Sequence, residues 1–313
     1  MIFSRAIWLL LVLPAVAFSD VPAVDNSVST NETITVPFKL DRNRVIIPTV
    51  VNDSKPLDLT LDTGMRFDGV YLFHREFVDE IDTSGAIEVQ VGGAGEGEAS
   101  TAIMIETGRV KFGEIEIDSQ RVIISRSSHT QTFPTDGVVG WNFFGHYTVE
   151  IDYDRGIISL HDTSEVQKDS SWQMIPITLK KDIPFIDAVL EVVDGERVPV
   201  SLYIDLASGD ALELLTKPDQ KFTLPDSLAD NYLGTGLSGD IYGQNGRVNK
   251  LSIGSCDLNN VFTAFAPAEV RSKQEGADGI LGNDCIRRFN VIFDYTHLKL
   301  YLKPNSFFNT PFE

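Results

Sequence analysis

Apolar and polar residues alternate with a period of two through most of the chain. Leu57-Asp58-Leu59-Thr60-Leu61 shows the pattern in the first half, and Val198-Pro199-Val200-Ser201-Leu202-Tyr203-Ile204 shows it in the second. Alternation of this kind turns one face of a strand toward a core and the other outward. Further strands are predicted over 45–51, 86–91, 102–106, 110–117, 121–125 and 188–193. Asn52-Asp53-Ser54 and Asp194-Gly195 are turn signals of the kind that close hairpins. Only short helical stretches fit the pattern, near 142–145 and 284–288. The expected fold class is all-β.

The strand pattern occurs twice with the same punctuation. Asp62-Thr63-Gly64 ends the first strand quoted above, and Asp136-Gly137-Val138-Val139-Gly140 follows 74 residues after Asp62. Asp205-Leu206-Ala207 ends the second, and Asp278-Gly279-Ile280-Leu281-Gly282 follows 73 residues after Asp205. Gly113 matches Gly254, and Asp152-Tyr153 matches Asp294-Tyr295. Four ordered marks at nearly constant offset indicate an internal duplication. Two homologous lobes are therefore expected, 35–162 and 172–304, related by a pseudo-twofold axis. Residues 163–171 form the linker between them, and 305–313 a tail.

Each copy delivers one aspartate at the end of a strand, Asp62 and Asp205. Two carboxylates brought face to face cannot both ionise easily and come to share a proton. The second copy departs from the first at two positions. Leu206 stands where the first has the hydroxyl of Thr63, and Ala207 where it has Gly64. Ser208 is the nearest substitute hydroxyl. On side chains alone, Asp205 has the less polar support and is expected to hold the shared proton more of the time. Any left-handed backbone required at 207 would be strained by alanine.

Leu61-Asp62-Thr63-Gly64, the later Gly137-Val138-Val139-Gly140 and the doubling of both resemble the pepsin- and retropepsin-like aspartic proteases. Gly234-Thr235-Gly236-Leu237-Ser238-Gly239-Asp240, with Gly243 and Gly246-Arg247, is similar to exported bacterial members of that group, here with a degenerate second motif. The resemblance implies a double β-barrel with Asp62 and Asp205 as catalytic residues and Thr63, Gly64, Leu206, Ala207 and Ser208 in the supporting loops. It implies endopeptidase activity on polypeptide, with no metal and no cofactor. Gly92, Gly93 and Gly95 occupy the place of the family's mobile flap, although the flap tyrosine of the pepsins is absent. The same glycines also suit an ordinary hairpin tip. A catalytically silent peptide-binding protein on the same scaffold is the alternative.

Composition narrows the partners. A net charge of −19 over 313 residues, with no basic stripe, argues against nucleic acid and anionic membrane surfaces. The five histidines have no metal-ligand spacing. Residues 1–17 read as a signal peptide: Arg5, an apolar run containing Pro14, then Ala15-Val16-Ala17. The apolar run is too short to span a bilayer comfortably, so no membrane insertion is expected after cleavage. Residues 18–34 read as a flexible linker, and the mature chain as secreted or periplasmic. A duplicated chain needs no second copy to complete its pair, so a monomer is expected. Cys256 and Cys285 could form one disulfide or remain free thiols.

Overall fold

The computed structural model describes residues 33–312 apart from 96, 163–165, 167, 194 and 272–275, together with a strand at Ile7–Trp8. The expected leader and most of the linker after it lie outside the described residues, as does Asp194 of the second turn signal. The backbone of Ile7–Trp8 pairs in parallel with Thr235 and Gly236.

The alternating segments form strands that close into two barrels of six. In the first, the strands follow the order Arg44–Val51, Leu57–Leu61, Gly137–Val139, Gly69–Leu72, Ile115–Ser125 and Ser100–Phe112. The pairing of Val50 with Lys111 closes this ring. In the second, the order is Ile183–Glu191, Arg197–Asp205, Gly279–Gly282, Leu212–Thr216, Cys256–Pro267 and Gly239–Ile253. Leu190 opposite Leu251 closes that ring. The strands occur in the same order and sense in both lobes, as the duplication requires. Val139 lies beside Leu61 in a parallel pair, and Leu281 lies beside Ile204 in its counterpart. Asp62 therefore corresponds to Asp205, and Gly140 to Gly282.

Burial follows the period of two until the strands enter the molecule's centre. Along Arg197–Asp205, Val198, Val200 and Leu202 are buried while Arg197 and Pro199 are exposed, and from Leu202 to Asp205 every residue is buried. Each fully buried aliphatic side chain contributes about 1.5–3 kcal/mol of transfer free energy. A third sheet joins the lobes. Its order is Gln173–Pro176, Lys299–Pro304, Phe289–Asp294, Thr148–Asp152, Ile157–His161 and Ile34–Pro37. At its centre Glu150 lies opposite Ile292, one strand from each lobe.

One sequence expectation is corrected here. Residues 110–117 are not one strand. The chain reverses at Gly113, whose φ of +57° is the same as that of Gly254 in the other lobe. A left-handed glycine ends one strand and begins the next. The C-terminal segment is docked on the second lobe. The buried Arg288 guanidinium donates to the carbonyls of Phe307, Thr310 and Pro311, and stands 3.6 Å from the centre of the buried Phe312 ring. Cys256 and Cys285 are both free thiols, the first half-buried and the second buried.

Candidate active site

Asp62 and Asp205 each stand at the end of a barrel strand, where the chain leaves the sheet in a tight turn. Both are fully buried. The Asp62 amide donates to the Val139 carbonyl at 2.8 Å, which ties its loop to the Gly137–Val139 strand. Gly140 follows directly. A Cβ at Gly140 would lie 2.0 Å from the Asp62 carbonyl oxygen, and one at Gly282 would lie 2.1 Å from that of Asp210. The hydrophobic-hydrophobic-glycine marks thus permit a backbone crossing that no side chain would fit.

The two carboxyl groups are held differently. Asp62 Oδ1 accepts the Gly64 amide at 2.6 Å. Asp205 Oδ1 accepts two amides, Ala207 at 2.9 Å and Ser208 at 3.1 Å. Burial pushes the Asp62 carboxyl well above the ordinary aspartate value, the charge of Asp205 pushes it further, and the Gly64 amide opposes both. Asp62 Oδ2 is buried and has no hydrogen-bond partner.

These contacts revise three expectations drawn from the Leu206-Ala207 departure. Neither Gly64 nor Ala207 has a positive φ, so alanine carries no left-handed strain there. The support for Asp205 is not poorer than that for Asp62, because its donors are backbone amides that do not depend on side-chain identity. Asp205 accepts two amides on Oδ1 and Asp62 one, and donated hydrogen bonds favour the charged form of a carboxyl. Ser208 supplies its amide and not a substitute hydroxyl across the lobes. Its Oγ accepts the Asp210 amide within the same turn, at 3.4 Å.

The turns also grip each other. The Thr63 hydroxyl donates to the Ile204 carbonyl at 2.6 Å and accepts the Leu206 amide at 3.3 Å. Leu206 cannot return the contact. Other polar groups cross the same boundary, and sequence reasoning missed them. Arg44 Nε donates to the Ala207 carbonyl at 2.8 Å, and Asn43 Nδ2 to the Gly209 carbonyl at 3.0 Å. Asn283 Nδ2 donates to the Asn43 carbonyl, and Tyr153 Oη donates to Asn283 Oδ1, both at 2.6 Å. Only the Asp-Tyr mark at 152–153 hinted at one member of this chain of contacts.

The glycine-rich tip after Ile87–Val91 lies against the hairpin tip of the other lobe. The Gly93 amide donates to Ser238 Oγ at 3.2 Å and the Gly97 amide to the Ser238 carbonyl at 2.6 Å. The Ser238 amide donates back to the Ala94 carbonyl at 2.9 Å. The apolar contacts are exchanged in the same way. Ala94 joins a cluster of second-lobe residues that includes Phe185 and Tyr203, while Leu237 joins one that contains Met65 and Ala207, beside the two aspartate turns. Of the three candidate flap glycines, Gly93 and Gly95 both reach the other lobe, the Gly95 amide donating to the Val270 carbonyl at 3.4 Å, and Gly92 precedes them.

The solved aspartic proteinase from Irpex lacteus is similar to this chain, with a TM-score of 0.58 over 89% of this chain and 99% of that one, at 13% identity. The chain has the double-barrel fold of the aspartic proteinases. No protein-family model and no curated protein sequence matches it. Likeness at this identity speaks for the fold, and the chemistry has to be argued from the residues. No helix among the described residues is long and apolar enough to cross a membrane.

Proposed function

We propose that this protein is an exported aspartic endopeptidase that hydrolyses extended polypeptide with a water activated between Asp62 and Asp205. The observation that carries the reading is the placement of two fully buried aspartates at equivalent registers of two matching barrels, one of them with its carboxyl pushed up by burial and by the charge of the other. A pair in that condition holds one proton between two carboxyl groups over an acidic range of pH.

The asymmetry of donors supports a division of roles. Asp205, with two amides on Oδ1, is the carboxylate that takes a proton from the attacking water. Asp62, protonated, hydrogen-bonds the scissile carbonyl and gives up its proton as the tetrahedral oxygen develops. On collapse the C–N bond breaks, Asp205 passes the proton taken from water to the leaving amine, and Asp62 recovers its proton from a hydroxyl of the intermediate as the carboxyl group of the product forms. The unpartnered Asp62 Oδ2 faces this chemistry with no protein donor competing for it. The paired tips at 93–97 and 237–239 would have to part to admit a peptide and would exclude water when they closed again.

The test is incubation of the purified mature chain with a mixed peptide library across pH, beside Asp62→Asn and Asp205→Asn. Cleavage is expected on the acid side of neutrality and should fall by about 10³-fold or more in each variant. A wild-type protein that binds peptides and cleaves none at any pH would instead be a silent binder on this scaffold.

A further inference from the structure

Arg44 is a charged side chain in the interior that the proposed chemistry does not use. It begins the strand Arg44–Val51, follows the left-handed pair Arg42 and Asn43, and is 3% exposed. Its Nε donates across the lobe boundary to the Ala207 carbonyl at 2.8 Å. Its Nη1 donates to the Arg42 carbonyl at 3.4 Å, and Nη2 is buried without a hydrogen-bond partner. The neighbouring turn is fitted closely to it: a Cβ at Gly209 would stand 3.1 Å from Arg44 Cζ. Burial of an arginine at such a place costs several kcal/mol unless charge and hydrogen bonds offset it.

The pseudo-twofold relation shows what is special about this position. In the first lobe Asp41 lies opposite Arg44 across the turn, and in the second Lys180 lies opposite Ile183 across a turn with left-handed Lys181 and Asp182. Arg44 and Ile183 are therefore equivalent. By the same relation the counterpart of Ala207 is Gly64 of the intact Asp62-Thr63-Gly64 turn, whose own hydroxyl grips the other lobe. The turn that faces Arg44 is Asp205-Leu206-Ala207, which has no hydroxyl at the matching place. At this register the arginine stands on the side where the grip is incomplete, and on the other side Arg66 reaches the Lys181 carbonyl at 3.3 Å from the aspartate turn itself.

We propose that Arg44 is a positioning residue of the site, holding the Leu206–Ala207–Ser208 turn by hydrogen bond and charge in place of the hydroxyl contact that Leu206 cannot make. The inference rests on the peptidase reading for its effect on turnover, and on geometry alone for its effect on the aspartate pair. Burial acts most strongly on the guanidinium and lowers its pKa, the charges of Asp210 and Asp205 offset part of this, Arg42 opposes the charge and Asp41 supports it. Arginine stays protonated in proteins, so the cation persists and biases Asp205 toward its carboxylate. Among the described residues, Arg44 interacts with the charge of Asp205 and the buried phenol of Tyr295 with that of Asp62, while Asp210 acts on Arg44 and Asp182 on Tyr295.

The experiment compares wild type with Arg44→Met, Arg44→Lys and the double variant Arg44→Met/Leu206→Thr. Aspartate titration is followed by carboxyl 13C NMR, with Asp62→Asn to assign the pair, alongside thermal unfolding and peptide turnover. Loss of the cation should raise the pH at which the pair gives up its shared proton by about one to two units, and lysine should hold it within about half a unit of wild type. Turnover in Arg44→Met should show kcat lowered about tenfold with KM little changed, as expected when reacting groups lose their alignment. The double variant should regain thermal stability without regaining the titration. An unchanged titration in a folded Arg44→Met would reduce the residue to a packing role and overturn the proposal. If Arg44→Met does not fold, Arg44→Gln against Arg44→Lys decides, and equal titrations in those two overturn it. The titration needs no substrate. A wild type that titrates as a coupled pair and never cleaves peptide would sink the peptidase reading while leaving the role of Arg44 standing.

Discussion

The Thr63 hydroxyl lies 2.6 Å from the Ile204 carbonyl oxygen, a contact between the aspartate turn of one lobe and the last strand residue before the aspartate of the other. It also accepts the Leu206 amide. Thr63→Val keeps the shape and removes both bonds, which leaves a buried carbonyl and a buried amide unpaired. The expected loss is about 1–3 kcal/mol of stability, read by denaturant unfolding. Peptide turnover should fall with it, and Thr63→Ser should restore both. A Thr63→Val protein as stable as wild type would mean that the grip contributes nothing.

Leu206→Thr supplies the hydroxyl that the second turn lacks. By the twofold relation it would reach the Leu61 carbonyl and the Thr63 amide, the counterparts of the groups that Thr63 now holds. Leu206 is fully buried, so the gain in hydrogen bonding is set against lost apolar burial. The two are of similar size, and the net stability change should stay within about 1 kcal/mol. Turnover should be equal to wild type or higher. A large loss of turnover in a stable Leu206→Thr protein would show that the leucine shape is required at the site.

Asp62 has a carboxyl pushed up in the folded chain by burial and by Asp205. An unfolded aspartate titrates near pH ~3.9. The folded protein therefore binds the extra proton more tightly, and its stability declines as pH rises from the unfolded value through the folded one. Asp62→Asn removes this term. The variant should match wild type at pH below about 3.9 and be the more stable of the two at neutrality. Each kcal/mol gained would appear as about 2–4 °C in Tm at this chain length or less. A variant less stable than wild type at neutral pH would contradict the assigned direction.

The tips of the two hairpins are joined by the Ser238 amide and the Ala94 carbonyl at 2.9 Å. Cysteines placed at 94 and 238 should form a disulfide under oxidation. If the tips part to admit substrate, the oxidised protein should lose about 90% or more of its turnover and recover it on reduction. Full turnover in the oxidised, crosslinked protein would show that peptides enter by another route.

The two aspartates, their glycine marks and the pairing of the lobes were legible because duplication prints the same local pattern twice. Val139 beside Leu61 and Leu281 beside Ile204 are the three-dimensional form of that spacing. What escaped sequence reading depends on reach across the lobe boundary. Nothing around Arg44 in Asp41-Arg42-Asn43-Arg44-Val45 announces a partner at Ala207, 163 positions away. By side chain the departure at 206–207 weakens the second turn, whereas the support of Asp205 comes from amides that every residue but proline carries. Gly113 reads as part of a strand because the residues on both sides of it alternate correctly. The left-handed turn between them changes the strand and not the pattern.

The sheet that joins the lobes sets what a break in the chain would do. Its central ladder, from Glu150 opposite Ile292 outward, is made of backbone hydrogen bonds between the two halves and needs no peptide link to persist. A protease nick between His161 and Gln173 would therefore yield two fragments that travel as one particle under native conditions and separate only in denaturant. Either fragment made alone would carry a bare, apolar strand edge where its twin had been. The strand Thr148–Asp152 or Phe289–Asp294 would then seek a copy of itself, and lone halves should be recovered as self-associated or insoluble material.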